Sequence, residues 1–90
     1  MQAAAEKYAL AKISGRQAGK LADSLASKIG VDATEIVNAG EALVSESDAQ
    51  LEENASLIDR RLAVRRTSAR KAILTELKSQ RRKEAKAKEQ

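Results

Sequence analysis

The sequence contains no proline and only four glycines in 90 residues, and this feature most limits the folds open to it. Proline and glycine are the residues that helices tolerate least, whereas the dominant Ala, Leu, Glu, Lys and Arg favour them. No segment alternates apolar and polar residues for long enough to indicate a strand. We therefore predict an all-α fold in one helical unit, residues 1–90. In it, a small-residue N-terminal helix and a long basic C-terminal helix form a hairpin.

The first predicted helix spans residues 3–29 and carries a seam of mostly small residues at a 3.5-residue period. The seam consists of Ala4, Tyr8, Ala11, Gly15, Ala18, Ala22, Leu25 and Ile29. A glycine costs up to about 1 kcal/mol inside a helix. The Gly15–Gly19 pair therefore favours close approach of a second helix backbone. An Ala-rich helix that simply tolerates two glycines is the alternative.

A corner at residues 30–32 is predicted to end this helix. Gly30 has the character of a left-handed C-cap, and Asp32 that of the next N-cap. Glu35 follows Asp32 at the spacing of a capping box. The pattern predicts two helices joined by a very short turn.

Two further helices are predicted, a short one over residues 33–44 and a long one over 47–86 with a frayed tail. The apolar residues of the long helix again follow a period near 3.5 residues. They are Leu51, Ala55, Ile58, Leu62, Ala69, Ile73 and Leu77. The row is narrow, which is typical of a seam between long helices. We single out Ile58, Leu62, Ala69 and Ile73 as its packing residues.

The apolar side chains are small. Alanine supplies 18 residues, and Tyr8 is the sole aromatic. Burying a leucine contributes roughly 1.5–3 kcal/mol, and a methyl group much less. We therefore expect other copies of the chain, or a partner protein, to supply part of the stability.

Charge is sorted along the chain. The net charge is +3 over residues 1–30, −7 over 31–53 and +8 over 54–90. This polarity predicts that the acidic middle of one subunit meets the basic arm of another.

Within the basic arm, cationic pairs recur every five residues. They are Arg60–Arg61, Arg65–Arg66 and Arg70–Lys71. On a helix this spacing distributes the charges around most of the circumference, whereas a helix that reads a DNA duplex concentrates them on one side. The first interpretation is a solvated helix or an arm that pairs with acidic protein. Contact with nucleic acid and with anionic lipid are the alternatives.

Residues that carry catalysis are scarce. The chain has no histidine and no cysteine, so the usual general base near neutral pH and the thiolate nucleophile are both absent. The acidic run after Ser45 lacks the alternating oxygens and the glycine of a calcium loop. We predict no catalytic residue, no metal and no cofactor, and so a protein that is not an enzyme. No apolar run is long enough to span a membrane.

Two blocks of the sequence resemble a known family. They are GRQAGKLADSLASKIGVD over residues 15–32 and ENASLIDRRLAVRRTSARKAI over residues 53–73. A small-residue helix, a GV corner, an acidic stretch and an Arg/Ala-rich return helix resemble the small internal virion, or ejection, proteins of short-tailed bacteriophages.

This resemblance implies a homo-oligomeric protein stored in the virion beside other virion proteins. It further implies expulsion into the host envelope, where such proteins help to form a conduit for the genome. Non-specific DNA contact and membrane contact without a spanning helix belong to the same expectation. The alternatives are a small basic nucleic-acid-binding accessory protein and a helical accessory or regulatory subunit of a larger complex, either of which would be cytoplasmic.

Overall fold

A computed structural model describes residues 1–55 and 66–89. Within them the chain forms four helices and no strand: α1 (Gln2–Ile13), α2 (Ala18–Ile29), α3 (Ala33–Glu53) and α4 (Arg66–Glu89). The all-α prediction is confirmed. The helix bounds differ from the predicted ones in three places.

The prediction of one helix over residues 3–29 was wrong, because the helix is broken at Gly15. Gly15 has a φ of +74°, a conformation that glycine adopts without steric cost. Its N–H donates to the Lys12 carbonyl, and the N–H of Arg16 donates to the Ala11 carbonyl at 2.9 Å. This pair of hydrogen bonds is a Schellman motif, which closes a helix C-terminus. The Gly15–Gly19 pair therefore lies across a turn.

The corner at residues 30–32 has the predicted glycine C-cap and Asp N-cap, but the Asp32 side chain accepts from the N–H of Thr34 and not from that of Glu35, so the predicted capping box does not form. Gly30 is left-handed with a φ of +73°, and the N–H of Val31 donates to the Ala26 carbonyl at 3.1 Å. The Asp32 side chain accepts a hydrogen bond from the Thr34 N–H. The same device thus ends α1 and α2, with a glycine in the left-handed region and a hydrogen bond back across the last turn.

The two C-terminal predictions were also wrong in their bounds. The helix predicted over residues 33–44 continues as α3 to Glu53 and includes the start of the helix predicted over 47–86. Asn54 then ends α3, because its side-chain Nδ2 donates to the Gln50 carbonyl and its N–H caps the last turn. One long helix from 47 to 86 is therefore excluded at Asn54, and α4 spans Arg66–Glu89.

The core consists of two clusters between these helices. The first joins α1, α2 and α3 and contains Ala4, Tyr8, Ala11, Ala18, Ala22, Leu25, Ala26 and Ile36. The second joins α1, α3 and α4 and contains Ala5, Ala9, Ile13, Leu43 and Leu74. Alanine supplies five of the eight residues of the first cluster and two of the five of the second. The chain therefore has a core of its own.

The molecule is flattened. Its principal extents are 43 × 37 × 14 Å and its radius of gyration is 14.2 Å, against about 12 Å for a compact domain of this length. Its accessible surface is 6477 Å², whereas a compact monomer of 9.7 kDa exposes about 5,100 Å². The chain thus presents more surface than its size requires.

Candidate interaction surfaces

The residues of the predicted packing seam lie in several environments. Five of them are buried in the first core cluster, against other helices of the same chain: Tyr8, Ala11, Ala18, Ala22 and Leu25. Gly15 and Gly19 are exposed, and a Cβ built on either meets no atom within 4 Å, so no second backbone approaches them in the monomer. Ala69 and Ile73 are half-buried. Ile58 and Leu62 lie outside the described residues.

The predicted cationic pairs are also divided. Arg66 and Lys71 are exposed on α4, whereas the Nε of Arg70 donates to a carboxylate oxygen of Asp48 on α3. Arg60, Arg61 and Arg65 lie outside the described residues.

Ion pairs connect α4 to the acidic helix α3 and to α1. Besides the Arg70–Asp48 pair, Arg81 pairs with Glu46. The ammonium group of Lys78 lies 3.8 Å from the carboxylate of Glu6, which is only 3% exposed. The buried Ser47 hydroxyl donates to the Arg70 carbonyl at 3.2 Å. The pairing of acidic middle and basic arm that charge sorting predicted between subunits thus occurs within one chain.

A polar cluster of three side chains joins α1 to α3. Glu41 accepts hydrogen bonds from the Lys12 ammonium and, at 3.3 Å, from the Tyr8 hydroxyl. The hydrogen bond from Lys12 lowers the pKa of Glu41 and raises the pKa of Lys12. Burial of the ring and the neighbouring Glu41 charge raise the pKa of Tyr8. The two hydrogen bonds to Glu41 connect α1 to α3.

Stability should therefore depend on pH at both ends of the range. Glu41 has a lowered pKa, so its contribution is present above about pH 4.5, the ordinary value, and is lost as the pH falls through the folded-state pKa. Lys12 and Tyr8 have raised pKa values, so their contributions hold below about pH 10 and are lost as the pH rises further. Urea unfolding as a function of pH should show a smaller loss between pH 4.5 and 2 for Glu41→Gln than for wild type. Equal losses would exclude this cluster as a source of the acid dependence.

The last two turns of α4 form a cationic surface, which we call the basic end. It consists of Arg82, Lys83, Lys86 and Lys88, all exposed. The last buried residue of α4 is Leu77, so this segment lies beyond the core. Among the side chains that the structure describes, none of the four makes an ion pair, in contrast to Arg70, Lys78 and Arg81. The sequence-predicted pairs did not include these residues, although the run Arg81–Lys88 is visible in the sequence.

An open groove of about 460 Å³ is lined by residues of α1, α2 and α4. We call it the α1–α2–α4 groove. Its lining includes Lys7, Leu10 and Ala11 of α1, Arg16 of the turn, Leu21 of α2 and Lys71 of α4. Because these residues come from separate parts of the chain, no local sequence pattern could have indicated it.

Metal-ligand clusters and membrane-spanning helices are both absent from residues 1–55 and 66–89. No group of three or more acidic side chains within residues 1–55 and 66–89 is placed to hold a metal ion. Within the same ranges, no helix is both long and apolar enough to cross a membrane.

Comparison with known proteins identifies no relative. No protein-family model matches the chain, and no curated protein or solved structure is significantly similar to it.

Proposed function

We propose that this chain is a non-enzymatic helical assembly protein that works in contact with nucleic acid. The resemblance to phage internal virion proteins implies this role, with the virion as its location and the host envelope as its destination after ejection. The observation that carries the proposal is the basic end of α4. It projects four cations beyond the core, whereas Arg70, Lys78 and Arg81 of the same helix are held by Asp48, Glu6 and Glu46.

A cationic helix end without aromatic residues suits one kind of nucleic-acid contact. Base stacking requires aromatic side chains, and the single aromatic, Tyr8, is buried. Lysine and arginine neutralise phosphates whatever the base sequence, and this interaction supplies essentially all of non-specific binding. The proposed contact is therefore with the phosphate backbone and independent of sequence.

Self-assembly is the second part of the proposal. The flattened shape and large accessible surface suit a subunit that covers part of its surface in a larger structure. The large apolar side chains exposed in the described ranges are Met1 and Ile29, so contacts between copies would be mostly polar. Light scattering at micromolar concentration distinguishes this role from the alternative of a monomeric nucleic-acid-binding accessory protein. A monomer that binds DNA would favour the alternative.

The salt dependence of DNA binding tests the basic end. If four cations each neutralise one phosphate, the slope of log K against log salt should be about −3.6, or roughly a hundredfold loss of affinity from 50 to 200 mM salt. Arg82→Ala/Lys86→Ala should reduce the slope by about 1.8. Fluorescence anisotropy of a labelled 20-base-pair duplex gives both values.

The matched control removes the same charge elsewhere. Lys20→Ala/Lys28→Ala changes two exposed cations of α2 and should leave the slope unchanged. A control that lowers the slope as much as Arg82→Ala/Lys86→Ala would show that net charge alone, and not the basic end, drives binding. Absence of binding at 50 mM salt would overturn the nucleic-acid proposal.

A further inference from the structure

The α1–α2–α4 groove has an apolar floor that belongs to both core clusters. Leu10 packs against the second cluster and Leu21 against the first, and both remain half-exposed. The break at Gly15 separates α1 from α2, and a leucine of each helix lines the groove. A ligand in the groove would cover the exposed margin of both clusters at once.

Three cations surround this floor. Lys7, Arg16 and Lys71 are all exposed, and the lining contains no acidic residue. The structure assigns none of the three to an ion pair among the side chains that it describes. Other cations on the same helices are paired, because Lys12 contacts Glu41 and Arg70 contacts Asp48. Like charges around a small groove repel one another, so an anionic occupant would be stabilised there.

The shape and the floor indicate the class of occupant. The lining residues from Lys7 to the C-cap Ser14 are seven helical steps apart, which is about 10 Å or two turns. A groove of this length with leucines on its floor suits the apolar face of an amphipathic helix. A nucleic-acid backbone could use the three cations but would leave Leu10 and Leu21 uncovered. The combination therefore favours protein over nucleic acid.

We propose that the α1–α2–α4 groove binds an acidic amphipathic helix of a partner protein. One or two apolar side chains of that helix would lie on Leu10, Ala11 and Leu21, and carboxylates on either side would pair with Lys7, Arg16 and Lys71. This inference is independent of DNA binding by the basic end, since it concerns a different surface. If the chain is an accessory subunit of a larger complex, this inference specifies which surface binds the partner and what kind of segment the partner supplies.

Synthetic peptides test the groove on the full chain. The probe is a labelled 14-residue helical peptide with leucines at positions i and i+4 and glutamates on either side, measured by fluorescence anisotropy. A peptide of identical composition with its leucines dispersed around the helix should bind at least tenfold more weakly. Lys7→Glu/Lys71→Glu should weaken binding of the probe by tenfold or more, while Lys20→Glu/Lys28→Glu should stay within twofold.

Charge exchange separates recognition from damage to the fold. A peptide with lysines in place of the glutamates should bind Lys7→Glu/Lys71→Glu better than wild type, a gain that an unfolded variant could not give. NMR shift changes should centre on the Leu10 and Leu21 methyl groups. The proposal is overturned if the dispersed peptide binds equally well, if both charge variants lose affinity alike, or if a DNA duplex causes the same methyl shifts more strongly than the peptide. Loss of duplex binding with peptide binding intact would contradict only the role of the basic end.

Discussion

Leu74→Ala should destabilise the fold by about 2–5 kcal/mol, the range measured for buried leucines in well-packed cores. Leu74 is 1% exposed and is the α4 residue of the second core cluster. Its removal leaves a cavity between α4 and the α1–α3 pair. In a domain of this size each kcal/mol lowers the melting temperature by roughly 4–8 °C. Thermal and urea unfolding followed by circular dichroism measure the change.

Ile73→Ala is the matched control because it removes a side chain of similar size from the preceding position. Ile73 belongs to the row that the sequence pattern predicted as the packing seam, but it is only half-buried in the structure. We expect a loss of less than about 1.5 kcal/mol, well below the range for a fully buried aliphatic side chain. If Ile73→Ala lowered the free energy of unfolding as much as Leu74→Ala, our assignment of the α4 face that packs against the core would be wrong.

The sequence was sufficient for the features that depend on local chemistry. Helix content follows from the absence of proline and the abundance of helix-forming residues. The corner at Gly30 could be predicted because a glycine C-cap and an Asp N-cap stand two residues apart, and each acts through its nearest neighbours. These interactions operate within one helical turn and need no knowledge of the tertiary structure.

The break at Gly15 was not predicted because the sequence supports two interpretations of this glycine. Gly15 and Gly19 are small residues four positions apart, which is the pattern of close helix packing. Gly15 also follows Ile13 and Ser14 much as Gly30 follows Ile29, which is the pattern of a helix end. In the structure Gly15 ends the helix, since a left-handed Gly15 satisfies the last carbonyls of α1.

The partner of the acidic segment could not be derived from charge sorting. Opposite charges in one chain can pair within it or between copies, and the sequence does not distinguish the two. In the fold, α4 returns alongside α3, so Asp48 meets Arg70 and Glu46 meets Arg81. Among the described residues, the cations of the basic end and of the groove have no such partner. Tertiary structure, and not the count of charges, determines which cations can bind another molecule.

Gly40→Ala should destabilise the protein by about 1–3 kcal/mol, the usual cost of overpacking. Gly40 is buried within α3, and an added Cβ would overlap Cδ1 of the Tyr8 ring and lie 3.1 Å from the Ala5 carbonyl oxygen. Alanine is the better helix former by about 1 kcal/mol, so a net loss would have to come from packing. The ring cannot easily move, because Tyr8 also donates to Glu41.

A double-mutant cycle identifies the clash. In a Tyr8→Ala background the ring is absent, so Gly40→Ala should cost less than in wild type, a coupling expected only between residues in contact. Urea unfolding of the four proteins gives the coupling energy. If Gly40→Ala lowers the free energy of unfolding equally in both backgrounds, contact with the Tyr8 ring is not the reason for glycine at this position.

Gly19→Ala is the control with the opposite expected sign. Gly19 lies in the first turn of α2 with no atom within 4 Å of an added Cβ. Alanine should therefore raise stability by up to about 1 kcal/mol through helix propensity alone. If Gly19→Ala instead lowered stability, and lowered it more as protein concentration rose, a second backbone would have to lie against this row. That result would support the predicted close-packed seam between subunits. A gain in stability would leave Gly40 as the glycine that close packing requires.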